Sequence, residues 1–175
     1  MPISPMPIQD DDKPDYAAEY LRLKAANDQL RERGKQWLWE TLEKLCAEIN
    51  QQLTAKPDGQ LLQSGRQPWQ FEIQTDSGKA VMLGERFGVR YRGQTLVIEV
   101  GWPQLPEHSF IPDSGLARGQ VRFSPSVMLD PLTKAELVLK RASADATWYV
   151  LKYKQLGEAV NEAYLRQYLD LMLKA

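Results

Sequence analysis

The feature that most constrains this chain is a change of hydrophobic period between residues 54 and 69. Up to Leu53 apolar residues recur every three to four positions, and from Trp69 onward they alternate. The first pattern buries one stripe of a helix and the second buries one face of a strand. The fold class expected is therefore α+β: a long N-terminal helix, an antiparallel meander-type sheet of five to six strands, and a C-terminal amphipathic helix packed on one sheet face.

Residues 15–54 carry the helical pattern. Asp15, directly after Pro14, suits the N-cap, where its carboxylate also meets the positive end of the helix dipole. Tyr16, Tyr20, Leu23, Leu30 and Trp37 form a first narrow stripe, and Leu38, Leu42, Leu45, Ile49 and Leu53 a second one shifted by one residue. Gly34 stands at the changeover, at a cost of roughly 1 kcal/mol in helix propensity. The pattern fits one helix of nearly forty residues that changes face, or two helices meeting at a kink. The tryptophan-rich second half is expected on the domain core. The charged first half, interrupted by Asn27, fits packing at the edge of its own domain or pairing with another helix. Tyr16, Tyr20, Leu23 and Leu30 are the binding candidates there.

Lys56-Pro57-Asp58-Gly59 ends the helix with turn chemistry, and residues 68–152 carry the sheet. A three-residue loop at 76–78 would pair Ile73 with Val81 and Phe71 with Leu83. A loop at Gly93-Gln94 would set Tyr91 opposite Leu96, Val89 opposite Ile98 and Phe87 opposite Val100. Val81, Leu83, Phe87, Val89 and Tyr91 share odd numbering, so one strand bent near Gly84 is expected to keep them on a single face. Residues 101–118 hold three prolines and form a long loop bearing Trp102, His108 and Phe110, which caps the core or presents a docking surface. Strand pattern returns at Val121, Phe123, Val127 and Leu129. A loop at 143–145 pairs Leu139 with Tyr149 and Leu137 with Leu151. Residues 153–174 read as the closing helix, with a stripe from Tyr153 through Leu156, Val160 and Tyr164. Residues 1–14, with four prolines and Asp10, Asp11 and Asp12, read as a flexible tail preceding a single domain over 15–175. Such a tail suits a docking peptide or an acidic mask over a basic face.

No motif identifies a family. At the level of element order the chain resembles small bacterial chaperone and adaptor domains such as type III secretion chaperones, although it lacks their central helix. A meander closed by a helix is also similar to pleckstrin-homology-like domains, to which the long first helix would be an addition. Likeness of this kind concerns fold and carries no function.

Chemistry is limited by what is missing. One cysteine excludes an internal disulfide, and one histidine leaves too few ligands for an all-protein His/Cys zinc site, so no metal or cofactor is implied. Cys46, inside LEKLCAEI, reads as a small buried hydrophobe. No phosphate-binding glycine motif occurs in a strand-to-helix context, and Ser109 and Asp113 beside His108 are too local to make a triad. A net charge of −1 excludes a bulk polycation. The chain opens without a secretory signal or membrane-spanning run, so the cytoplasm is the expected compartment.

Charge is nevertheless segregated: basic residues exceed acidic ones in 76–154, and the reverse holds elsewhere. By parity Arg86, Arg90 and Arg92 point together, away from Phe87, Val89 and Tyr91. They form a platform for an anionic ligand or nucleic acid, or a solvated face paired to Glu72 and Glu99. The functional expectation is a non-catalytic protein-interaction or assembly domain, adaptor- or chaperone-like, that engages a protein partner or itself through the N-terminal helix. The alternatives are anion or nucleic-acid binding on the arginine face, and an enzyme using carboxylates such as Glu72, Glu85 and Glu99 in a cleft.

Overall fold

The computed structural model describes residues 15–57, 59–75, 78–103 and 115–174. The tail at 1–14, and His108 and Phe110 within the long loop, lie outside the described residues. The helical pattern becomes one continuous helix, α1, over Tyr16–Thr54, so the kinked alternative is set aside. It is capped as expected, with the Asp15 carboxylate accepting from the Ala18 N–H at 3.1 Å. Gly34 serves close approach instead of a kink. A Cβ there would lie 2.7 Å from both methyl carbons of buried Leu139, and the Trp148 indole donates to the Gly34 carbonyl at 2.9 Å. At the far end Asn50 brackets Leu62, accepting from its N–H at 2.8 Å and donating to its carbonyl at 3.2 Å. That clamp hands the chain from helix to sheet.

The sheet has seven strands, not five or six: β1 Gln63–Thr75, β2 Gly78–Tyr91, β3 Gln94–Trp102, β4 Ala117–Ser124, β5 Leu132–Ala142, β6 Asp145–Lys152 and β7 Gln155–Ala159. They pair antiparallel in sequence order, a pure meander. The strand missing from the sequence reading is β7. Tyr153 and Lys154 adopt φ of 51° and 64° and form a tight turn, so the residues read as the first turns of a helix run back beside β6. The closing helix α2 occupies only Glu162–Leu173, capped by Asn161, which accepts from the Tyr164 N–H at 2.8 Å. Pairing with β6 satisfies the backbone groups of 155–159, which outweighs a weak local helical period.

Both helices lie on one face of the sheet, and the larger core forms between them. Leu38, Trp39 and Leu42 of α1 and Leu165 and Leu169 of α2 meet Phe87, Ile98 and Leu137 there. Arg166 and Lys44 add ion pairs from helix to helix, to Glu48 at 3.0 Å and Glu162 at 2.8 Å. A second cluster, with Phe71, Ile73, Ala80, Met82, Val138 and Leu151, lies on the opposite face.

Two hairpin registers differ from expectation by one residue, which reverses the faces. In β1–β2 the pairs are Ile73↔Ala80 and Phe71↔Met82, so Ala80 and Met82 are buried while Val81 and Leu83 are exposed. In β5–β6 Leu139 faces Trp148 and Leu137 faces Val150, which sends Leu151 to the second cluster. The β2–β3 turn is Arg92-Gly93, with φ of 48° and 79°, giving Val89↔Leu96 and Phe87↔Ile98. That shift is by two, so the inward face survives.

The strand β2 is single and continuous, as expected, yet it does not bury one face throughout. Even-numbered Ala80 and Met82 serve the second cluster, and odd-numbered Phe87, Val89 and Tyr91 the main core. The strand crosses over at Gly84, opposite Gly101 of β3. A Cβ on Gly84 would fall on the Val100 carbonyl oxygen and lie 2.7 Å from the Gly101 Cα. Only glycine allows two backbones that close, and the tip of the β1–β2 hairpin thereby folds across the outer face of the sheet.

Candidate interaction surfaces

The N-terminal turns of α1 are exposed. Every residue from Asp15 to Ala25 is exposed, with Tyr16, Tyr20 and Leu23 at 74%, 51% and 51% of their full accessibility. Leu21 is exposed beside them. Contact with the sheet begins at Asn27, whose side-chain oxygen accepts from Arg141 at 2.6 Å. Arg31 then donates to the Leu116 carbonyl at 2.6 Å, and Leu30 is 3% exposed. The stripe read from sequence is therefore divided: Leu30 belongs to the core, and Tyr16, Tyr20 and Leu23 do not. Asp28 closes the boundary. Its burial pushes its pKa up, but hydrogen bonds from Lys24 and Arg31, each at 2.8 Å, hold it below the usual carboxylate value.

A second surface lies on the outer face of β1–β3. Arg86 and Arg90 do point together, away from the helices. Arg92 does not join them, because it occupies the turn before Gly93, its guanidinium 5.2 Å from the Tyr91 ring centre. The two acids expected to neutralise this face are engaged elsewhere. Glu72 pairs with Lys79 at 3.2 Å and Glu99 with Arg122 at 3.2 Å. Among the described residues neither Arg86 nor Arg90 has a carboxylate partner. The Arg86 guanidinium lies 3.7 Å over the Trp69 ring, which fixes it in place.

These arginines border a groove of about 600 Å³. Gln63, Ser64, Gly65 and Gln67 of β1 line one side, and Val127, Leu129 and Pro131 of the β4–β5 connection overhang the other. The sequence reading missed that wall, since Val127 and Leu129 looked like a strand continuing from Phe123. In fact β4 ends at Ser124, whose hydroxyl lies 2.5 and 2.8 Å from the carbonyl oxygens of Ser126 and Leu129 and shares its one proton between them, and the chain turns out over the sheet. Trp102, expected in the long loop, ends strand β3 instead, partly buried against both cores with Lys35 and Arg31 at 5.5 and 5.9 Å from its ring centre.

The carboxylates do not assemble a site. Glu85 faces the helices and Glu99 the opposite side, so the sheet separates them. Burial pushes the Glu85 carboxyl up in pKa, but the Trp39 indole at 2.9 Å and the Lys35 ammonium at 3.2 Å outweigh it and leave the group below the ordinary value. A general acid at neutral pH requires the opposite shift. Glu99 is 1% exposed, and Arg122, which binds it, also donates to the Pro131 carbonyl at 2.8 Å. That arginine therefore ties the groove wall to the sheet. Burial pushes the Cys46 thiol up to about 11, with Glu43 adding to the shift, so the sulfur stays protonated and unreactive.

Among the described residues no cluster of His, Cys, Asp and Glu is placed to hold a metal ion, and no helix is long and apolar enough to cross a membrane. Compared with known proteins, the chain matches no family model, no curated protein and no solved structure.

Proposed function

We propose that this is a non-catalytic protein-interaction domain whose docking element is the projecting N-terminal end of α1. The observation that carries this reading is the exposure of Tyr16, Tyr20 and Leu23 on turns where every residue from Asp15 to Ala25 is exposed. Spaced four and three apart, they form one seam, which suits the apolar face of another helix. A free helix of about three turns would be marginal in water. Here the segment is the extension of a helix already anchored by its lower two thirds, so it is presented in helical form without a separate nucleation cost.

The seam is short. Three or four large side chains from each partner fall near the lower limit for a specific interface, so the association is weak and reversible instead of obligate. Binding by such a seam concentrates in the aromatic anchors, here Tyr16 and Tyr20. Removing residues 1–25 leaves the Asn27–Arg141 and Arg31–Leu116 contacts intact, though it takes away the Lys24 partner of Asp28, whereas a cut at residue 33 would also remove buried Leu30 and the Arg31 clasp on Leu116.

The test compares the full chain with the 26–175 truncation and with the Tyr20→Glu/Leu23→Glu double variant. Sedimentation equilibrium reads self-association, and affinity capture from the native cell reads other partners. Both variants should retain the wild-type unfolding midpoint and lose self-association or a specific captured partner. An unchanged oligomeric state together with an unchanged set of captured proteins would refute the reading.

A further inference from the structure

Gly65 of β1 and Gly88 of β2 stand directly opposite each other in the ladder. A Cβ built on either would meet nothing within 4 Å. The contrast with Gly84 and Gly101 is informative. There the missing side chains are explained by backbone contact, whereas at Gly65 and Gly88 no atom of the described residues uses the space. Glycine inside a strand costs about 0.5–1 kcal/mol relative to alanine, so the facing pair weakens the sheet with no packing return.

What surrounds this bare floor is organised. Along β2 the floor lies between Arg86 and Arg90, four residues apart on one face and so about 13 Å apart at their Cα atoms. Gln67 stands opposite Arg86 and Gln63 opposite Arg90. The Gln67 side chain, with its amide oxygen turned toward Arg86, accepts from that guanidinium. Trp69 below and Gln67 beside it thus hold Arg86 fixed, while Arg90 is exposed and free to close over a ligand. Thr95 adds a hydroxyl group, and Val97, Val127 and Leu129 supply an apolar wall.

We infer that this groove binds a small organic anion, a phosphate or carboxylate carried on a flat apolar body, with the body lying on the Gly65–Gly88 floor and the anionic group held by Arg90. Guanidinium forks suit either oxyanion, and a groove of about 600 Å³ is in the size range of small-molecule sites. A nucleic-acid strand fits less well. Trp69 is already covered by Arg86, so that aromatic face is not open to a base. This site shares no residue with the projecting end of α1, so the failure of either proposal leaves the other standing.

The probes are phenyl phosphate and benzoate, with phenol, inorganic phosphate and a single-stranded oligonucleotide as comparisons, titrated into the full chain by calorimetry. Phenyl phosphate or benzoate should bind saturably, and more tightly than phenol or phosphate alone. Gly88→Val fills the floor where there is open space, so it should keep or raise the unfolding midpoint while weakening binding at least about tenfold. Arg90→Gln, at an exposed position, should weaken binding by a similar factor without altering the fold. The inference is overturned if neither aromatic anion binds, if Gly88→Val and Arg90→Gln bind as wild type does, or if only the oligonucleotide binds.

Discussion

Glu85 shows at the level of one residue how neighbours remove a carboxylate from acid–base chemistry and turn it to stability. Its partners, Trp39 and Lys35, come from α1 some fifty positions earlier in the chain, and both favour the charged form. The sign of the pH effect follows. A carboxyl whose folded pKa is depressed contributes stability that is fully present above its unfolded value of about 4.3, and that is lost as pH falls through the lower folded value. Partial exposure screens the interaction, so Glu85→Gln should cost on the order of 1 kcal/mol at neutral pH. Urea unfolding at neutral pH and below the ordinary glutamate pKa tests this: the difference between wild type and variant should shrink in acid. A difference that persisted or grew in acid would mean that the indole hydrogen bond, and not the charge, carries the effect.

Among the elements, those whose apolar residues alternate with polar ones were legible in the sequence, and those with unbroken apolar runs were not. Asp15 at the N-cap, the helical span of α1 (with one helix or a kinked pair left open) and the inward set Leu96, Ile98 and Val100 were readable, the last because polar Thr95 and Glu99 mark the other face of β3. In Val81-Met82-Leu83 and Trp148-Tyr149-Val150-Leu151 every residue is large and apolar, and a second cluster covers the outer face. Alternation then carries no information about which set faces the helices, and a slip of one residue costs nothing in the pattern. The arginine side of the groove was readable by parity for Arg86 and Arg90. Its wall was not, since the path of residues 125–131 depends on the Arg122 and Ser124 side chains bonding the loop carbonyls, which a hydrophobic period does not register. Gly34 belongs to the same scale, because propensity alone makes it a defect and packing makes it the contact that seats α1 on β5 and β6. Gly34→Val should lower stability by about 2 kcal/mol, despite better intrinsic helix propensity, as the new methyl groups press on Leu139. Denaturant unfolding reads the outcome, and a stabilised variant would show that helix and sheet separate at little cost.

The whole molecule is one meander that serves two cores of unequal size. The larger one is clamped by both helices, while the smaller is held by the hairpin tip folded over the outer face. That fold-over depends on the crossing of β2 and β3 at Gly84 and Gly101. Stability need not be uniform across such an arrangement, and the smaller cluster, without helices over it, is the portion expected to open first. Gly84→Ala forces the two backbones apart at the crossing, because the added methyl would collide with the Val100 carbonyl and not with a side chain able to move aside. The expected result is selective. Amide hydrogen exchange should accelerate across 69–75 and 78–83, where Phe71, Ile73 and Met82 lose their contact with Val138 and Leu151, while protection of α2 and the lower part of α1 persists. Four residues along the same strand, Gly88→Val should leave exchange in both regions unchanged, because its side chain enters open space. If Gly84→Ala instead accelerated exchange everywhere to the same degree, the two clusters would form a single cooperative unit. The hairpin tip would then be part of what holds the helices to the sheet.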